Sequence, residues 1–384
     1  MRPVKIGINA LFRGEPTGVA NYIIKLVKYL ARLDKENQYT IFVTETNRHY
    51  FNLRQDNFHE IVCQVNTGNP IIRRVWEQTS FPKLLKACEL DIIHCPTNII
   101  PILSPCKSIV TLLDCQYFHE SPKNTFLRKN FNKIFMRLSL KKADATITIS
   151  ESMKENILKY LGSNRKSIHV IHLGQDYDDI FHHGINPDVI KQKIGIQGKY
   201  LLFVGYPSYR KNLAGLTRGF ALALKKLREP CDLVICGDIN TKDESDYLNV
   251  IRLIEELEIG KHVKFTGYLD DQYLSALIVG AEFLVFPSFY EGFGLPAIEA
   301  MICGTPVLVS DIPVMREIVA DSGLYVNPYD YEDISKGILK LFSDENLRMK
   351  LSIEGRQRAS RFTWEDTARK TLECYLLTAK GNNP

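Results

Sequence analysis

A glycine-rich turn bracketed by two carboxylates is the stretch of this 384-residue chain most suggestive of chemistry. Glu291 lies in the turn and Glu299 lies eight residues later, in a helix that the pattern predicts to begin at Leu295-Pro296. An apolar run, residues 283–286, predicts a strand that leads into the turn. A strand, a glycine loop and a helix N-terminus form an anion site, because unpaired N–H groups and the helix dipole point there. The alternative is an ordinary turn in which glycines only permit tight geometry.

The two carboxylates are compatible with more than one chemistry. Paired carboxylates can act as the acid and the base or nucleophile of glycoside hydrolysis. They can also accept hydrogen bonds from hydroxyl groups, Glu299 from a ribose and Glu291 from a hexose. Glu299 could alternatively do no more than compensate the charge of a helix N-terminus. The spacing alone leaves these interpretations open.

Two adjacent cations, Arg210 and Lys211, follow a second apolar run that ends at Gly205. A guanidinium and an ammonium group beside a helix N-terminus suit a diphosphate. An Arg-Lys pair in a loop is otherwise a solvated basic pair. The position after a strand favours a function, because loops at strand ends carry the sites of α/β proteins.

The first half of the chain offers weaker candidates. Residues 14–22 form a loop around Gly18 that opens a helix, where phosphates or an acceptor would lie, although a structural turn competes with this interpretation. The loop lacks G-x-G-x-x-G, which argues against a dinucleotide. Asp114 and His94 each end a predicted strand and are expected to face the cleft, with His119 nearby. A lone Asp or His at such a position is more often structural.

Residues 126–142 are predicted to form a helix with a basic surface. Its apolar residues keep helical spacing, and no acidic residue occurs from Ser121 through Lys142. Such a helix can lie on an anionic membrane. It can equally pack its apolar stripe on a sheet and leave its basic face in solvent.

Motifs for metals and cofactors are weak. Asp176-Tyr177-Asp178 is formally D-x-D, but it lies in a predicted linker. H-E-x-x-H, a Walker loop and G-x-S-x-G are missing from the sequence. The nine cysteines contain no C-x-x-C pair, which favours reduced thiols over disulfides or a zinc site. We therefore expect neither a metal nor a cofactor.

Alternating strand and helix signals indicate how these residues are positioned. The pattern predicts an α/β protein with two doubly wound, Rossmann-like domains that face each other across a cleft. We place the first domain at 1–176 and the second at 198–363. The predicted strands are 4–10, 40–44, 91–94, 108–113, 145–150 and 168–172, then 200–204, 232–236, 263–266, 283–286, 306–310 and 324–326.

Composition places the chain among globular proteins. It is 45% hydrophobic and 24% charged, with a net charge of +5. This charge permits attraction to phosphates or to an anionic membrane without demanding either, and we expect no nucleic-acid partner. We found neither a membrane-spanning apolar run nor a secretion signal. We expect a cytoplasmic location, which would also allow peripheral contact with the inner face of the membrane.

These segments, in this order, resemble the retaining glycosyltransferases of family 4, which have the GT-B fold. The strongest match is Glu291 through Glu299, which fits the E-x7-E signature of the family. Resemblance extends over nearly the whole chain and is most specific in the second half. It implies that the helix 364–384 packs back on the first domain. Trp76-Glu77-Gln78 and His94-Cys95-Pro96 are similar to mannosyltransferase-like members. The other matching segments are 17–22, 146–151, 205 with 210–212, 263–268, 303–307 and 362–365.

The resemblance implies a role for each matching residue. Glu299 would bind the ribose and Glu291 the hydroxyl groups of the donor sugar. Arg210 and Lys211 would neutralise the diphosphate leaving group. In the glycine turn, Gly292 and the backbone N–H groups of Phe293, Gly294 and Leu295 would contact the sugar or the diphosphate. Elsewhere in the second domain, Gly205 would lie beside the cations, and Gly267 and Tyr268 would border the base. In the first domain, Gly18 would approach the phosphates, and Asp114 is the further site residue.

The chain departs from the family pattern at two positions. Many members carry His where this chain has Leu113, and that His touches the donor sugar. His119 or Asp114 would then take over part of its role. Some members carry Arg where this chain has Tyr206. Arg210 would then supply more of the positive charge that neutralises the diphosphate.

The implied activity is hexose transfer from a nucleotide sugar to a glycan or lipid-linked acceptor, without a metal. GDP-mannose is the donor that the resemblance favours, with UDP- and ADP-sugars as alternatives. Two other functions fit the same fold: a sugar-nucleotide epimerase, which needs no acceptor, and a silent subunit that only binds the nucleotide sugar. Glycoside hydrolysis is disfavoured, because cations and glycine loops fit a diphosphate better than a neutral glycan.

Overall fold

Two parallel sheets organise the chain. The computed structural model describes residues 2–12, 18–114, 126–161, 168–175, 185–238 and 244–381. The chain divides into two units, Met1–Gly174 with Phe362–Pro384, and Gln175–Arg361. Most of the loop before Gly18, together with His119 and the triplet Asp176-Tyr177-Asp178, lies outside the described residues.

The first unit contains a seven-stranded sheet in the order β3-β2-β1-β4-β5-β6-β7. All of its strand pairs are parallel. The strands are β1 (Lys5–Asn9), β2 (Gln38–Val43), β3 (Phe58–Val62), β4 (Ile92–Cys95), β5 (Lys107–Leu112), β6 (Ala145–Thr148) and β7 (Ile168–Val170). The helices that lie between these strands in the chain are α1 (Gly18–Leu33), α2 (Pro70–Ala87), α3 (Phe126–Lys142) and α4 (Glu151–Leu161).

The second unit contains a six-stranded parallel sheet in the order β10-β9-β8-β11-β12-β13. The strands are β8 (Lys199–Val204), β9 (Cys231–Cys236), β10 (Val263–Gly267), β11 (Phe283–Phe286), β12 (Val307–Ser310) and β13 (Leu324–Val326). The helices that follow α4 are α5 (Pro187–Ile194), α6 (Leu213–Leu224), α7 (Glu244–Glu256), α8 (Asp271–Val279), α9 (Leu295–Cys303), α10 (Pro313–Val319), α11 (Tyr331–Ser343), α12 (Glu345–Ala359) and α13 (Trp364–Lys380).

Burial explains why the central strands read as continuous apolar runs. All four residues of β11 are buried, as are Tyr200 through Phe203 of β8, because helices cover both faces of a parallel sheet. The prediction of an α/β protein with two such sheets is confirmed. Within the described ranges, no helix is long and apolar enough to cross a membrane.

The strand order of the second sheet creates a place for a ligand. β8 pairs with β9 on one side and with β11 on the other. Chains leaving β8 and β11 therefore run to opposite sides of the sheet, and a crevice opens between them outside the carboxyl ends of the strands. The loops after β8 and β11 carry the cations and the glycine-rich turn that the sequence singles out.

The last helix, α13, belongs to the first unit and packs against α1, β4 and β5. His94 of β4 is fully buried, and its Nδ1 lies 2.6 Å from the hydroxyl of Tyr375 in α13. Its Nε2 lies 2.7 Å from Thr111 Oγ1. Burial lowers the pKa of His94 to about 3, so the ring is neutral. The expectation that His94 faces a cleft was wrong, because its ring joins the last helix to the sheet.

Two elements differ from the predicted pattern. β3 was missed, because it is an edge strand in which His59 and Glu60 interrupt the apolar run. The sequence pattern predicts a helix over 76–88, whereas helix α2 begins six residues earlier, at Pro70. The side chain of Asn69 accepts hydrogen bonds from the N–H groups of Ile71 and Ile72, which caps the helix.

Candidate functional site

The loop after β8 begins at Gly205, which leaves room for the side chain of Lys211 to pass close to the backbone. Gly205 has φ +143°, and a Cβ there would lie 3.4 Å from Cε of Lys211. The N–H of Gly205 donates to the carbonyl of Cys236 at the end of β9, at 2.8 Å. A side chain at this position would strain the backbone and crowd Lys211.

Asn212 fixes the other end of the same loop. Its backbone is left-handed, with φ +54°, and its Oδ1 accepts a hydrogen bond from the N–H of Gly215 that caps α6. The side-chain amide donates to the carbonyl of Pro287 at 3.0 Å and to that of Pro328 at 2.6 Å. One buried amide therefore joins the loops that follow β8, β11 and β13.

The two predicted cations converge on one predicted carboxylate. Arg210 Nη1 lies 2.6 Å from Glu291 Oε2, and Lys211 Nζ lies 2.9 Å from Glu291 Oε1. Arg210 also donates through Nη1 to the carbonyl of Tyr290, and its own carbonyl accepts from the N–H of Phe289 at 2.9 Å. Glu291 is 7% exposed and Lys211 is 6% exposed. The loops after β8 and β11 are thus joined by an ion-pair triad in which Glu291 and Lys211 are buried and Arg210 is partly exposed.

Burial and the neighbouring charges act in opposite directions on the groups of this triad. Burial alone would raise the pKa of Glu291, but Lys211 and Arg210 together hold it below its ordinary value. Burial lowers the pKa of Lys211, and Glu291 opposes that effect. The Lys211 ammonium also lies 4.3 Å from the ring centre of Phe286 in β11. A carboxylate held in this way is a poor general acid, which counts against the hydrolytic interpretation of the Glu291/Glu299 pair.

The triad carries two positive charges and one negative charge in a buried setting. A charge that is incompletely balanced away from water attracts a counter-ion strongly, because the local dielectric is low. The arrangement is therefore suited to an anion that has several oxygens and can share the guanidinium and the ammonium group.

The glycine turn leads directly into a helix N-terminus. Gly294 caps α9 with φ +98°, and a Cβ there would lie 2.3 Å from Cε of Met315. Leu295 is the first residue of α9, and the buried Phe293 precedes the cap. Gly292 is also buried. The first N–H groups of a helix have no partner within it, so they and the helix dipole favour negative charge at this turn.

Glu299 lies on α9, within electrostatic range of Lys211. Burial raises the pKa of Glu299 to about 7, Asp271 adds to the effect, and Lys211 opposes it. Near neutral pH this carboxyl is therefore divided between its protonated and ionised forms. It can accept a hydrogen bond from a hydroxyl in either form, and more strongly when it is ionised.

Glycines also join the loops that follow β9 and β10. The N–H of Gly237 donates to the carbonyl of Gly267 at 3.0 Å, and a Cβ at Gly237 would lie 2.4 Å from the carbonyl oxygen of Gly205. Gly267 has φ +68°, with open space where a Cβ would stand, and Tyr268 beside it is 73% exposed. This exposed ring stands at the same carboxyl-end edge of the sheet as the triad.

The two remaining candidates belong to the first unit. Gly18 is the exposed first residue of α1, and a Cβ there would meet no atom within 4 Å. Asp114 is partly buried and follows β5, and the N–H of its neighbour Leu113 donates to Asn98 Oδ1 at 3.3 Å. Both lie at carboxyl ends of the first sheet, whereas the ion-pair triad is built entirely within the second unit.

Two of these features were missed in the sequence analysis. Cations and carboxylate were assigned separate ligands, and their mutual ion pair was not foreseen. Asn212 was noted only as the third member of Arg-Lys-Asn, although an asparagine that directly precedes an apolar helix is a cap signal. Among the described residues, no group of three or more His, Cys, Asp or Glu side chains is placed to hold a metal ion.

Family models match both halves of the chain. Residues 16–179 match the model described as Glycosyltransferase Family 4, and residues 187–358 match the model described as Glycosyl transferases group 1. O-antigen chain mannosyltransferase B of Escherichia coli is 29% identical over 70% of this chain and 68% of the relative. Serotype-specific mannosyltransferase WbdA of Escherichia coli is 26% identical over 74% of this chain, and the match spans only 34% of that longer protein.

Solved structures show the same fold. Sucrose-phosphate synthase from Thermosynechococcus elongatus superposes with a TM-score of 0.75 at 21% identity, over 97% of this chain and 98% of the other. HepE from Anabaena, solved in complex with UDP-glucose, gives a TM-score of 0.76 at 17% identity, over 97% and 99%. The fold is therefore GT-B, and the chain belongs to glycosyltransferase family 4, a family of sugar-transferring enzymes.

Proposed function

We propose that this protein transfers mannose from GDP-mannose to a glycan or lipid-linked acceptor, with retention of the anomeric configuration. The observation that carries the proposal is the contact of Arg210 and Lys211 with the buried Glu291 at the carboxyl ends of β8 and β11. Two cations beside a helix N-terminus suit the diphosphate of a nucleotide sugar. Glu299 and Tyr268 stand at the same edge, where they would receive the ribose and the base.

The choice of donor rests on the relatives. Both of the matching Escherichia coli proteins are named as mannosyltransferases, which favours mannose as the sugar. The HepE structure holds UDP-glucose, so a chain with this fold can accommodate a nucleotide sugar. UDP- and ADP-sugars are the alternatives to GDP-mannose.

In the proposed mechanism, most of the rate enhancement comes from stabilising the negative charge that develops in the transition state. As the bond between the sugar C1 and the phosphate oxygen breaks, negative charge develops on the departing diphosphate. Arg210, Lys211 and the first N–H groups of α9 would stabilise that charge where it appears. Glu291 holds both cations in position before the donor arrives, so little reorganisation is needed. Because these groups supply the positive charge, we propose that no metal ion is required.

Retention would follow from attack on the face that the diphosphate leaves. The acceptor hydroxyl forms the new C1–O bond, and its proton passes to an oxygen of the departing phosphate. No protein nucleophile is needed in this scheme. Binding energy from the nucleotide and the sugar hydroxyls would hold the donor in the reactive geometry.

Removing a proposed donor contact should cripple transfer. We expect Lys211→Ala to lower the transfer rate by about a hundredfold or more, as for the loss of one electrostatic stabiliser. Glu299→Ala should also cripple transfer, because the donor loses its hydrogen bond to the ribose. Transfer of radiolabelled mannose from GDP-mannose to a membrane-extract acceptor, in the presence of EDTA, measures the rate. Lys225→Ala, which removes an exposed lysine of the same unit, is the matched control.

Folding must be checked in the same series, because removing one partner of a buried ion pair can cost about 3–5 kcal/mol. Circular dichroism reports whether each variant is folded, and Lys211→Met, which keeps an unbranched side chain of similar length, separates the loss of the charge from the loss of packing. A double variant Lys211→Ala/Glu299→Ala that transfers at the wild-type rate would refute the proposed site.

Donor affinity should depend on pH through Glu299. Its raised pKa means that the carboxyl is protonated below about pH 7 and ionised above it. Because a carboxylate accepts a ribose hydroxyl more strongly than the acid does, the affinity for GDP should increase as the pH rises from 6 to 8. Calorimetric titration of wild type and Glu299→Gln over this range isolates the effect, since other titrating groups are common to both. Equal pH dependence in the two proteins would rule out a ribose contact by Glu299.

We also propose that α3 brings the enzyme to the anionic inner face of a membrane, where a lipid-linked acceptor would lie. Ile134 and Leu138 are 55% and 40% exposed, and Arg137 and Lys141 lie on the same outer surface of the helix. Exposed apolar and basic residues on one helical face suit an anionic lipid surface. The other predicted interpretation, a stripe packed on the sheet, accounts for the buried Met136 and Leu140 of the same helix.

Sedimentation with vesicles tests this surface. Vesicles with phosphatidylglycerol should retain the wild-type protein at low salt, and Ile134→Ser/Leu138→Ser should lower the bound fraction several-fold. Val189→Ser/Leu248→Ser, which removes two exposed apolar residues from the second unit, is the control. Retention that is equal for both double variants would contradict a docking role for α3.

A further inference from the structure

Three aromatic rings from three loops form a row beside the ion-pair triad. Phe289, in the loop after β11, lies in the middle and is partly buried. The ring of Tyr209 lies 5.3 Å from it at an interplanar angle of 35°, and the ring of Tyr329 lies 4.8 Å from it at 24°. Tyr209 is 55% exposed and Tyr329 is 74% exposed. We call these three residues the aromatic row.

The backbone holds the aromatic row in place. The N–H of Tyr209 donates to Asp246 Oδ2 at 2.9 Å, and that of Tyr329 donates to Asn327 Oδ1 at 3.0 Å. The N–H of Phe289 donates to the carbonyl of Arg210 at 2.9 Å. Because these hydrogen bonds already order the loops, binding a ligand to the rings would cost little conformational entropy.

Packing within the protein does not account for such exposure. The two exposed tyrosine rings flank the partly buried Phe289, one on each side. A cluster of exposed aromatic surface of this kind commonly marks a binding site. A tyrosine ring offers an apolar face and a hydroxyl that can donate and accept. These features match a pyranose, which has an apolar face of C–H groups and a rim of hydroxyl groups.

The charge of the neighbourhood favours a neutral ligand. The three rings carry no formal charge, and the net positive charge of the adjoining triad is the part of the site that we assign to the diphosphate. The row also continues from the proposed donor site, because Tyr209 precedes Arg210 and Phe289 lies two residues before Glu291. Sugar units of one glycan chain could therefore contact the row while another unit of that chain reacts nearby.

We propose that the aromatic row is a subsite for a neutral glycan chain, occupied by sugar units of the acceptor beyond the one that receives the transferred hexose. This inference rests on the proposed transfer to a glycan acceptor, and it assigns part of acceptor recognition to the second unit. Longer acceptors would gain affinity from the row, whereas an acceptor of one or two sugars would not reach it.

Binding of neutral oligosaccharides tests the proposal without requiring turnover. Mannobiose and mannohexaose, both α-linked, are titrated by calorimetry into wild type, Tyr329→Ala, Tyr329→Phe and Tyr331→Ala. Tyr331 is an exposed tyrosine two residues away in α11 and is the matched control. We expect mannohexaose to bind wild type more tightly than mannobiose. Tyr329→Ala should weaken mannohexaose by about two- to tenfold, the range that one aromatic contact supports, and Tyr331→Ala should not.

Each outcome bears on the proposal. Retained affinity in Tyr329→Phe together with loss in Tyr329→Ala supports stacking by the ring. Failure of wild type to bind mannohexaose, or equal affinities for all variants, overturns the subsite. Loss of vesicle binding in Tyr329→Ala with unchanged oligosaccharide affinity would overturn it in favour of a membrane contact. GDP titration into the same variants separates the two hypotheses, because the donor site can bind GDP normally whether or not the row binds glycan.

Discussion

A buried carboxylate that must be neutralised is the constraint on which the rest of the second unit depends. Glu291 is almost out of contact with water, and its charge is tolerable there only because two cations lie within 3 Å of its oxygens. Arg210 and Lys211 come from the loop after β8, whereas Glu291 comes from the loop after β11. Their contact is possible because these strands are neighbours at the point where the strand order reverses.

Backbone geometry around the triad helps to hold the two cations beside Glu291. Gly205 leaves room for the lysine stem, Gly294 turns the chain into α9, and Asn212 joins three loops through one amide. Positions with such backbone angles tolerate few residue types, so the loops keep one conformation. A rigid frame of this kind holds the two cations in one arrangement around Glu291. In the proposed function, that arrangement is already formed before the diphosphate binds.

Sequence reasoning succeeded where the signal was local. Continuous apolar runs identified most strands, and residues at the ends of β8 and β11 were correctly expected to share one edge, because parallel strands end on the same side. It failed where partners are distant in the chain. The burial of His94 depends on Tyr375, which lies 281 residues away, and no pattern around either residue predicts that contact. The ion pair of Glu291 likewise depends on the order of the strands, which the alternation of elements does not specify.

The central claim is that Arg210 and Lys211, held by Glu291, receive the diphosphate of the donor. The most direct measurement is the dissociation constant of wild type and of Lys211→Met for a nucleoside diphosphate and for the monophosphate of the same nucleoside. Calorimetry is used, with the nucleoside that wild type binds most tightly among guanosine, uridine and adenosine. The account predicts that Lys211→Met weakens the diphosphate by about tenfold or more, as expected for a charge-assisted contact, and changes the monophosphate much less. Equal affinities of wild type and variant for the diphosphate would contradict it.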